Sequence, residues 1–316
     1  MHSDTGEYIM ETIEILLATY NGAEYLSEQI DSILGQDTDA WHLTISDDGS
    51  SDETTQIIDD YMRKHPQKIS RVFSGTHFGN ARDHFFWLMR QCDADFMLFC
   101  DQDDVWHPDK VSLFAQALHE ETRLHGCETP LLVFSDLKVV DQQLNCLHPS
   151  LARMQRQSPN IQDFRYLLFQ NTVTGCAMGI NHSLAEMAGR CEDTSRIVMH
   201  DWWLALVAAR FGKMIYLDES TVDYRQHGKN CVGAKNVKSI SYIWQKLFHL
   251  EYYQQHIMEK KMQANMFRRT YTSELTFSER EMLDCYSELH CTISFKLRYM
   301  RWIRTLARRL GFFIKW

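Results

Sequence analysis

The chain has 316 residues, of which 44% are apolar, 24% charged and 12% aromatic, a balance that supplies a large core and excludes a mostly disordered chain. Its longest unbroken apolar run, Trp202 to Ala209, falls far short of the roughly 20 residues a membrane-crossing helix needs. A net charge of −9 argues against general nucleic-acid binding, and the acidic start MHSDTGEYIMETIE lacks the basic and apolar regions of a secretory signal, so a cytoplasmic protein is expected.

Five short apolar or β-branched runs, Ile13 to Ala18, His42 to Ser46, Ile69 to Phe73, Phe96 to Cys100 and Leu131 to Ser135, read as strands. Between them, residues such as Leu26, Ile30 and Ile33, then Ile58 and Met62, then Phe85, Leu88 and Met89 recur at helical spacing. The alternation predicts βαβ units and an α/β fold around a mostly parallel sheet. Ligands of such sheets bind beyond the carboxyl ends of the strands, and the segments there are polar: TYNG after the first strand, SDDGSSD after the second and DQDDVWHPDK after the fourth.

Further along, TVTGCAMGI (172–180) reads as a strand, and HDWWLALVAARFG (200–212) reads as an apolar helix preceded by Asp201. KMIYLD and STVDY read as two more strands before RQHGKN (225–230). All five prolines lie at or before Pro159, and the later part reads as unbroken helices. The expected division is 1–236, with a nucleotide-binding half 1–136 and an acceptor and base half 137–236, followed by a helical region 237–316. Nine cysteines without a C-x-x-C pair predict reduced, packed thiols.

The carboxylates of Asp101, Asp103 and Asp104, crowded after an apolar strand, repel one another unless a cation offsets them, and such oxygens suit Mg²⁺ or Mn²⁺. Alternatively Asp103 or Asp104 caps the helix beginning near Pro108. In SDDGSSD, the Asp-Gly step is an ordinary turn in which Ser51 or Asp52 caps the next helix, or a carboxylate there accepts the imide N–H of a pyrimidine.

TYNGAEYLSEQIDSILGQ, SDDGSSDET, DQDDVWHPDK, TGCAMGIN and HDWW, in this order, together resemble the family 2 glycosyltransferases, inverting enzymes with the nucleotide-sugar-binding GT-A fold. The resemblance runs from residue 12 to 235. Within the family, HDWWLALVAARFG and VDYRQHGKNCVGAK look like the bacterial rhamnosyltransferases that use dTDP-L-rhamnose. The resemblance implies that Thr19 and Tyr20 lie beside the nucleotide and that Asp48 contacts the pyrimidine. It implies that Asp101 and Asp103 engage ribose and a divalent metal, with Asp103 the direct ligand and Asp104 its support. Asp201 matches the catalytic base, although the family often has Glu-Asp where this chain has His200-Asp201, so the partner of the base is open. By motif position His227 reaches the metal or diphosphate, Arg225 and Lys229 supply positive charge to the leaving group, and Gly228 to Gly233 forms a cover over bound donor. Trp202 and Trp203 are either sugar-stacking or core residues, and Trp106 packs beneath the metal loop.

The implied function is transfer of L-rhamnose from dTDP-β-L-rhamnose to a hydroxyl of a polyprenyl-diphosphate-linked glycan in bacterial surface polysaccharide synthesis. The alternatives are the same fold with a UDP-sugar donor, or a catalytically silent membrane-associated scaffold. From Lys296 to Trp316 there are seven basic residues and no acid, interleaved with aromatics. Such a tail suits the anionic inner face of the cell membrane, or else packs on the acidic body of its own chain or of a second subunit in a homo-oligomer. No two glycines are spaced G-x-G and no phosphate-binding loop motif is present, which disfavours dehydrogenases and P-loop enzymes.

Overall fold

A computed structural model describes residues 11–227 and 250–287. Lys229, the 228–233 cover and the 296–316 tail lie outside the described residues. The first half builds β1 (Ile13–Thr19), α1 (Leu26–Leu34), β2 (His42–Asp47), α2 (Thr54–Lys64), β3 (Ile69–Val72), α3 (Ala81–Arg90), β4 (Phe96–Cys100), a short β5 (Val105–Trp106) and α4 (Lys110–His125). The second half adds β6 (Leu131–Val140), β7 (Cys146–His148), α5 (Leu151–Gln155), α6 (Phe164–Leu167), β8 (Met178–Asn181), α7 (His182–Gly189), α8 (His200–Phe211) and β9 (Lys213–Arg225). Helices α9 (Leu250–Thr270) and α10 (Phe277–Ser287) follow.

All nine strands join one sheet in the order β3-β2-β1-β4-β8-β6-β9-β5, with β7 on β6. The segment β3-β2-β1-β4 is parallel throughout. Strand β8 runs antiparallel to both β4 and β6, and β6 and β9 are again parallel. The reversal of β8 brings the loop before it, 171–177, to the edge where β1 and β4 end. Of the expected 172–180 strand only residues from Met178 on pair, in β8 (Met178–Asn181), because Gly175–Ala177 turn as a 3₁₀ segment. The two runs expected after α8 are one strand, Lys213–Arg225, shifted in register against β6 near Asp136.

Alternation along the strands sorts the core into two faces. Leu16, Met97, Phe99, Phe134 and Ile180 face α3, α7 and α8, whereas Ile15, Leu17, Leu98, Cys100 and Val133 face α1 and α4. Helix α8 is buried on every side from His200 to Ala208, so the sheet can cover only one of its flanks. Helix α9 covers another. Phe267 and Tyr271 stack against Trp203 and Phe211, and the Tyr271 hydroxyl donates to the Met187 carbonyl at 2.9 Å. The described C-terminal helices therefore share the core of the α/β part. Among the described residues six cysteines are free thiols, but Cys285 is disulfide-bonded, a departure from uniformly reduced thiols. Count and spacing alone do not reveal which cysteines a fold brings within bridging distance.

Gly212 joins α8 to β9 against the chain entering β6: a Cβ at this position would lie 1.8 Å from the Pro130 carbonyl oxygen, which itself accepts the Lys213 N–H at 2.9 Å. Gly212→Ala must displace paired backbone. It should lower stability by about 2 kcal/mol or more, read from urea denaturation, while conservative substitutions on the exposed face of α2 leave it unchanged.

Candidate active site

A cleft of about 1110 Å³ opens at the carboxyl ends of the strands, the position expected for ligands of such sheets. One wall carries Thr19, Tyr20, Asp48 and Gly79; the floor carries Asp101, Gln102 and Asp103; the opposite wall carries Asn171, Gly175, His200, Asp201 and Trp202.

On the first wall, the Thr19 hydroxyl donates to Asp47 at 2.8 Å, and Asp47 also accepts the N–H groups of Gly49 and Ser50. These bonds shape the turn after β2. Tyr20 is 49% exposed, leaving its ring available to a planar ligand. Asp48 is buried, and its two carboxylate oxygens accept the N–H groups of Phe78 at 2.6 Å and Gly79 at 2.8 Å. Its first task is to hold the 77–79 loop, and any base contact uses the remaining lone pairs. Asp52 accepts from Thr54 and Ala23, which ties the start of α2 to the loop after β1.

The floor is held by bonds that neither motif announces. The Gln102 amide accepts the Tyr20 N–H at 2.7 Å and donates to the Tyr20 carbonyl at 3.0 Å, which locks the first loop to the acidic one. Asp103 meets the His227 ring nitrogen at 2.7 Å, so the structure brings these two expected ligands together. Asp104 is fully buried and accepts the Arg225 N–H at 3.0 Å with one carboxylate oxygen. It does not cap α4, whose first turn follows Asp109 without a side-chain cap. Arg225 is not a cleft-wall residue. It is 1% exposed, and its guanidinium donates to the Asp103 and Gln142 carbonyls and to Glu28, clamping the acidic loop from behind where positive charge at the leaving group was expected.

Burial, the Asp103 charge and then the Asp201 charge push the Asp101 carboxyl up to about 7. Burial and the neighbouring carboxylates hold Asp104 well above the usual range. Lys110 is buried beneath them with its ammonium donating to the Cys176 carbonyl and lying 3.7 Å from the Trp106 ring centroid. Burial lowers its pKa to about 8. Trp106 packs under the loop as expected, 2% exposed. The carboxylate oxygens suit a hard dication: oxygens of Asp101 and Asp104 lie within 4.8 Å of each other, with the Cys176 sulfur in the same group. Cys176 is the weakest member of that group. Burial raises its thiol well above the ordinary value, and a neutral thiol is a poor ligand for Mg²⁺ or Mn²⁺. Of the three acidic-loop carboxylates, Asp101 and Asp103 open onto the cleft and Asp104 does not.

Asp201 lies in the first turn of α8, two residues after the cap position, which Met199 occupies. Its oxygens accept the Gly175 N–H at 3.1 Å and the Trp202 N–H at 2.5 Å, and the Asn171 side chain bonds it as well. Burial outweighs these bonds and pushes its carboxyl up to about 7. Trp203 is core, whereas Trp202 reaches the cleft with its indole N–H donated to the Leu167 carbonyl at 2.6 Å.

Residues 14–185 match the sequence model of the family described as "Glycosyl transferase family 2", more than half of the chain. The chain belongs to glycosyl transferase family 2. It is 29% identical over 227 residues to "dTDP-rhamnosyl transferase RfbG" of Shigella flexneri, a match covering 69% of this chain and 74% of that one. It is 24% identical over 225 residues to "Uncharacterized glycosyltransferase alr2836" of Nostoc sp., covering 69% and 66%. In fold, this family 2 chain is similar to S. aureus TarS in complex with UDP, with TM-score 0.56, 14% identity and coverage of 96% and 93%. It is also similar to the mannosyltransferase PcManGT of Pyrobaculum calidifontis in complex with GDP-Man and Mn²⁺, with TM-score 0.52, 15% identity and coverage of 95% and 75%. These likenesses make the architecture GT-A-like, with C-terminal helices added.

One wall of this family 2 site has no counterpart in the sequence motifs. His256, Ile257 and Lys260 of α9 line the cleft, and Lys260 donates to the Phe169 carbonyl at 2.7 Å above the Trp202 ring. An interruption of the apolar pattern on one face of α9 is the only signal that could have found them. Arg225→Ala should lower stability by roughly 1–3 kcal/mol, because it leaves the Asp103 and Gln142 carbonyls without their donor, whereas Glu28, more than half exposed, stays solvated. The same variant should weaken nucleotide binding as the acidic loop loosens, both measurable by denaturation and calorimetry.

Proposed function

We propose that the chain is an inverting transferase that moves L-rhamnose from dTDP-β-L-rhamnose to a hydroxyl of a polyprenyl-diphosphate-linked glycan. The observation that carries the reaction type is Asp201, a carboxyl with its pKa at about 7, on the cleft wall facing the acidic floor. The likeness to a protein named as a dTDP-rhamnosyl transferase supports the donor. Its name does not extend to the acceptor, which is proposed from the basic 296–316 segment and the fit of such a segment to an anionic membrane surface. No helix among the described residues is long and apolar enough to cross a membrane, so the surface association proposed is peripheral, on the cytoplasmic face.

Thr19, Tyr20 and Asp48 line the nucleotide wall, and Asp101 takes the ribose side of the acidic floor. Mn²⁺ or Mg²⁺, held by Asp103 and Asp101 with His227 beside them and Asp104 beneath, would supply Lewis-acid stabilisation of charge on the departing diphosphate. Asp201 accepts the proton of the acceptor hydroxyl as that oxygen attacks the face of the sugar opposite the diphosphate, inverting the anomeric centre. The Gly175 and Trp202 N–H groups and Asn171 keep the carboxylate aimed without lowering its pKa far enough to spoil it as a base. Lys229 is proposed to add charge at the diphosphate.

Asp201→Asn should reduce transfer by roughly 10²–10⁴-fold with donor affinity kept, whereas Asp103→Ala should weaken metal-dependent donor binding. Equal loss of donor binding in both would sink the separation of roles. Asp201 acts only when ionised, so turnover at saturating metal should climb as pH rises through about 7 and then level off. Titration calorimetry with dTDP, UDP and GDP, each with Mn²⁺ and with EDTA, tests the donor: metal-dependent preference for dTDP is expected. Preference for UDP replaces the sugar, and no nucleotide binding favours a scaffold.

A further inference from the structure

The imidazole of His200 is 5% exposed, and neither ring nitrogen has a hydrogen-bond partner. It sits in an aromatic slot, with ring centroids 4.4 Å from Phe85 and 5.5 Å from Phe99. Leaving a buried polar group unpaired is expensive, and a native structure that keeps one commonly satisfies it with a ligand or water. The slot itself is made for the ring. A Cβ on Gly175 would lie 2.8 Å from His200 Nε2, so the residue whose N–H holds Asp201 must also be small enough to admit the imidazole.

The location narrows what the ring meets. His200 lines the cleft, next to the base Asp201 on α8, and Phe99 stands two residues before Asp101 on β4. The imidazole thus belongs to the wall of the cleft that carries Asp201, in the same cleft as the acidic floor where a transferred group would be held. Its surroundings keep it neutral: burial lowers its pKa to about 3. Neutral imidazole offers one donor and one acceptor, the pair that a hydroxyl group matches and a carboxylate does not.

We infer that His200 is a specificity-determining residue that hydrogen-bonds a hydroxyl of the transferred sugar beside its reacting carbon, selecting a neutral hydroxylated pyranose. The inference rests on the transferase reading of the same cleft but not on the identity of the sugar. Sites built to bond a substrate hydroxyl discriminate strongly because the protein group is otherwise stranded.

His200→Phe keeps an aromatic ring in the slot and removes both polar atoms. In a calorimetric and hydrolysis panel of dTDP with dTDP-β-L-rhamnose, UDP with UDP-glucose and GDP with GDP-mannose, wild type is first assigned the donor for which the sugar adds to nucleotide affinity. The variant should bind the free nucleotide as wild type does, lose tenfold or more of that sugar-dependent increment, and lose transfer or hydrolysis rate. Its melting temperature should be unchanged or raised, since an unpaired buried polar group has gone. His200→Gln, which keeps a donor and an acceptor, should recover part of the increment. An unchanged increment in His200→Phe overturns the inference, as does joint loss of nucleotide binding and melting temperature in both variants, which would make His200 structural. Preference of wild type for UDP-glucose or GDP-mannose overturns only the rhamnose reading. No sugar increment with any donor overturns the transferase reading and this inference together.

Discussion

The carboxyl groups of Asp101, Asp104 and Asp201 are withdrawn from water at the same edge of one sheet, and much of the structure around them answers that constraint. Like charges so placed are stable only if protonated, bonded or offset by cations. Asp104 takes the Arg225 N–H, Asp201 takes two backbone N–H groups, and the Lys110 ammonium is buried beneath the cluster. Asp101, at the cleft wall, keeps a carboxyl raised to about 7. A dication at that edge would favour the ionised carboxylates of Asp101 and Asp103 and offset their repulsion.

The compensating groups explain why distant segments must meet. Arg225 ends β9, Lys110 begins α4, and Gly175 belongs to the turn before β8. Only a sheet in which β8 runs against its neighbours delivers that turn to the edge where β1 and β4 end. The same arrangement places Asp201 opposite the acidic floor, on a helix whose apolar circumference requires cover from α9. The cover becomes a wall of the cleft through His256, Ile257 and Lys260, so the C-terminal helices contribute to both the core and the site.

Family membership and the TarS-like fold agree with this geometry, but architecture alone does not choose a sugar, since one fold hosts many transferases. The choice lies in groups that touch the substrate. On the proposed reading Asp101 and Asp103 serve any nucleotide sugar alike, whereas the neutral imidazole on the Asp201 wall is the group proposed to discriminate. The unmet polar atoms of His200 are a cost to stability, which a hydroxyl bound in the cleft would offset on the proposed reading.

Much was legible in the sequence because it depends on short-range pattern. The strands 13–18, 42–46, 69–73 and 96–100 follow from apolar runs between amphipathic helices and lie within a residue of their observed ends. The acidic segments after them fall at the cleft because strand direction alone puts them there. Chain order also marked Asp201 and His227. What the linear pattern could not contain is direction and partnership across long separations. It could not foresee that β8 reverses, that KMIYLD and STVDY are one strand, or that Arg225 turns inward to clamp the loop it was expected to assist. Nor could it show that Gln102 joins Tyr20 or that Asn171 and Gly175 hold Asp201. Hydrogen bonds and desolvation act between groups brought close by the sheet order, so only the tertiary structure decided which carboxylates face the cleft, which are buried, and which imidazole is left with both nitrogens to offer.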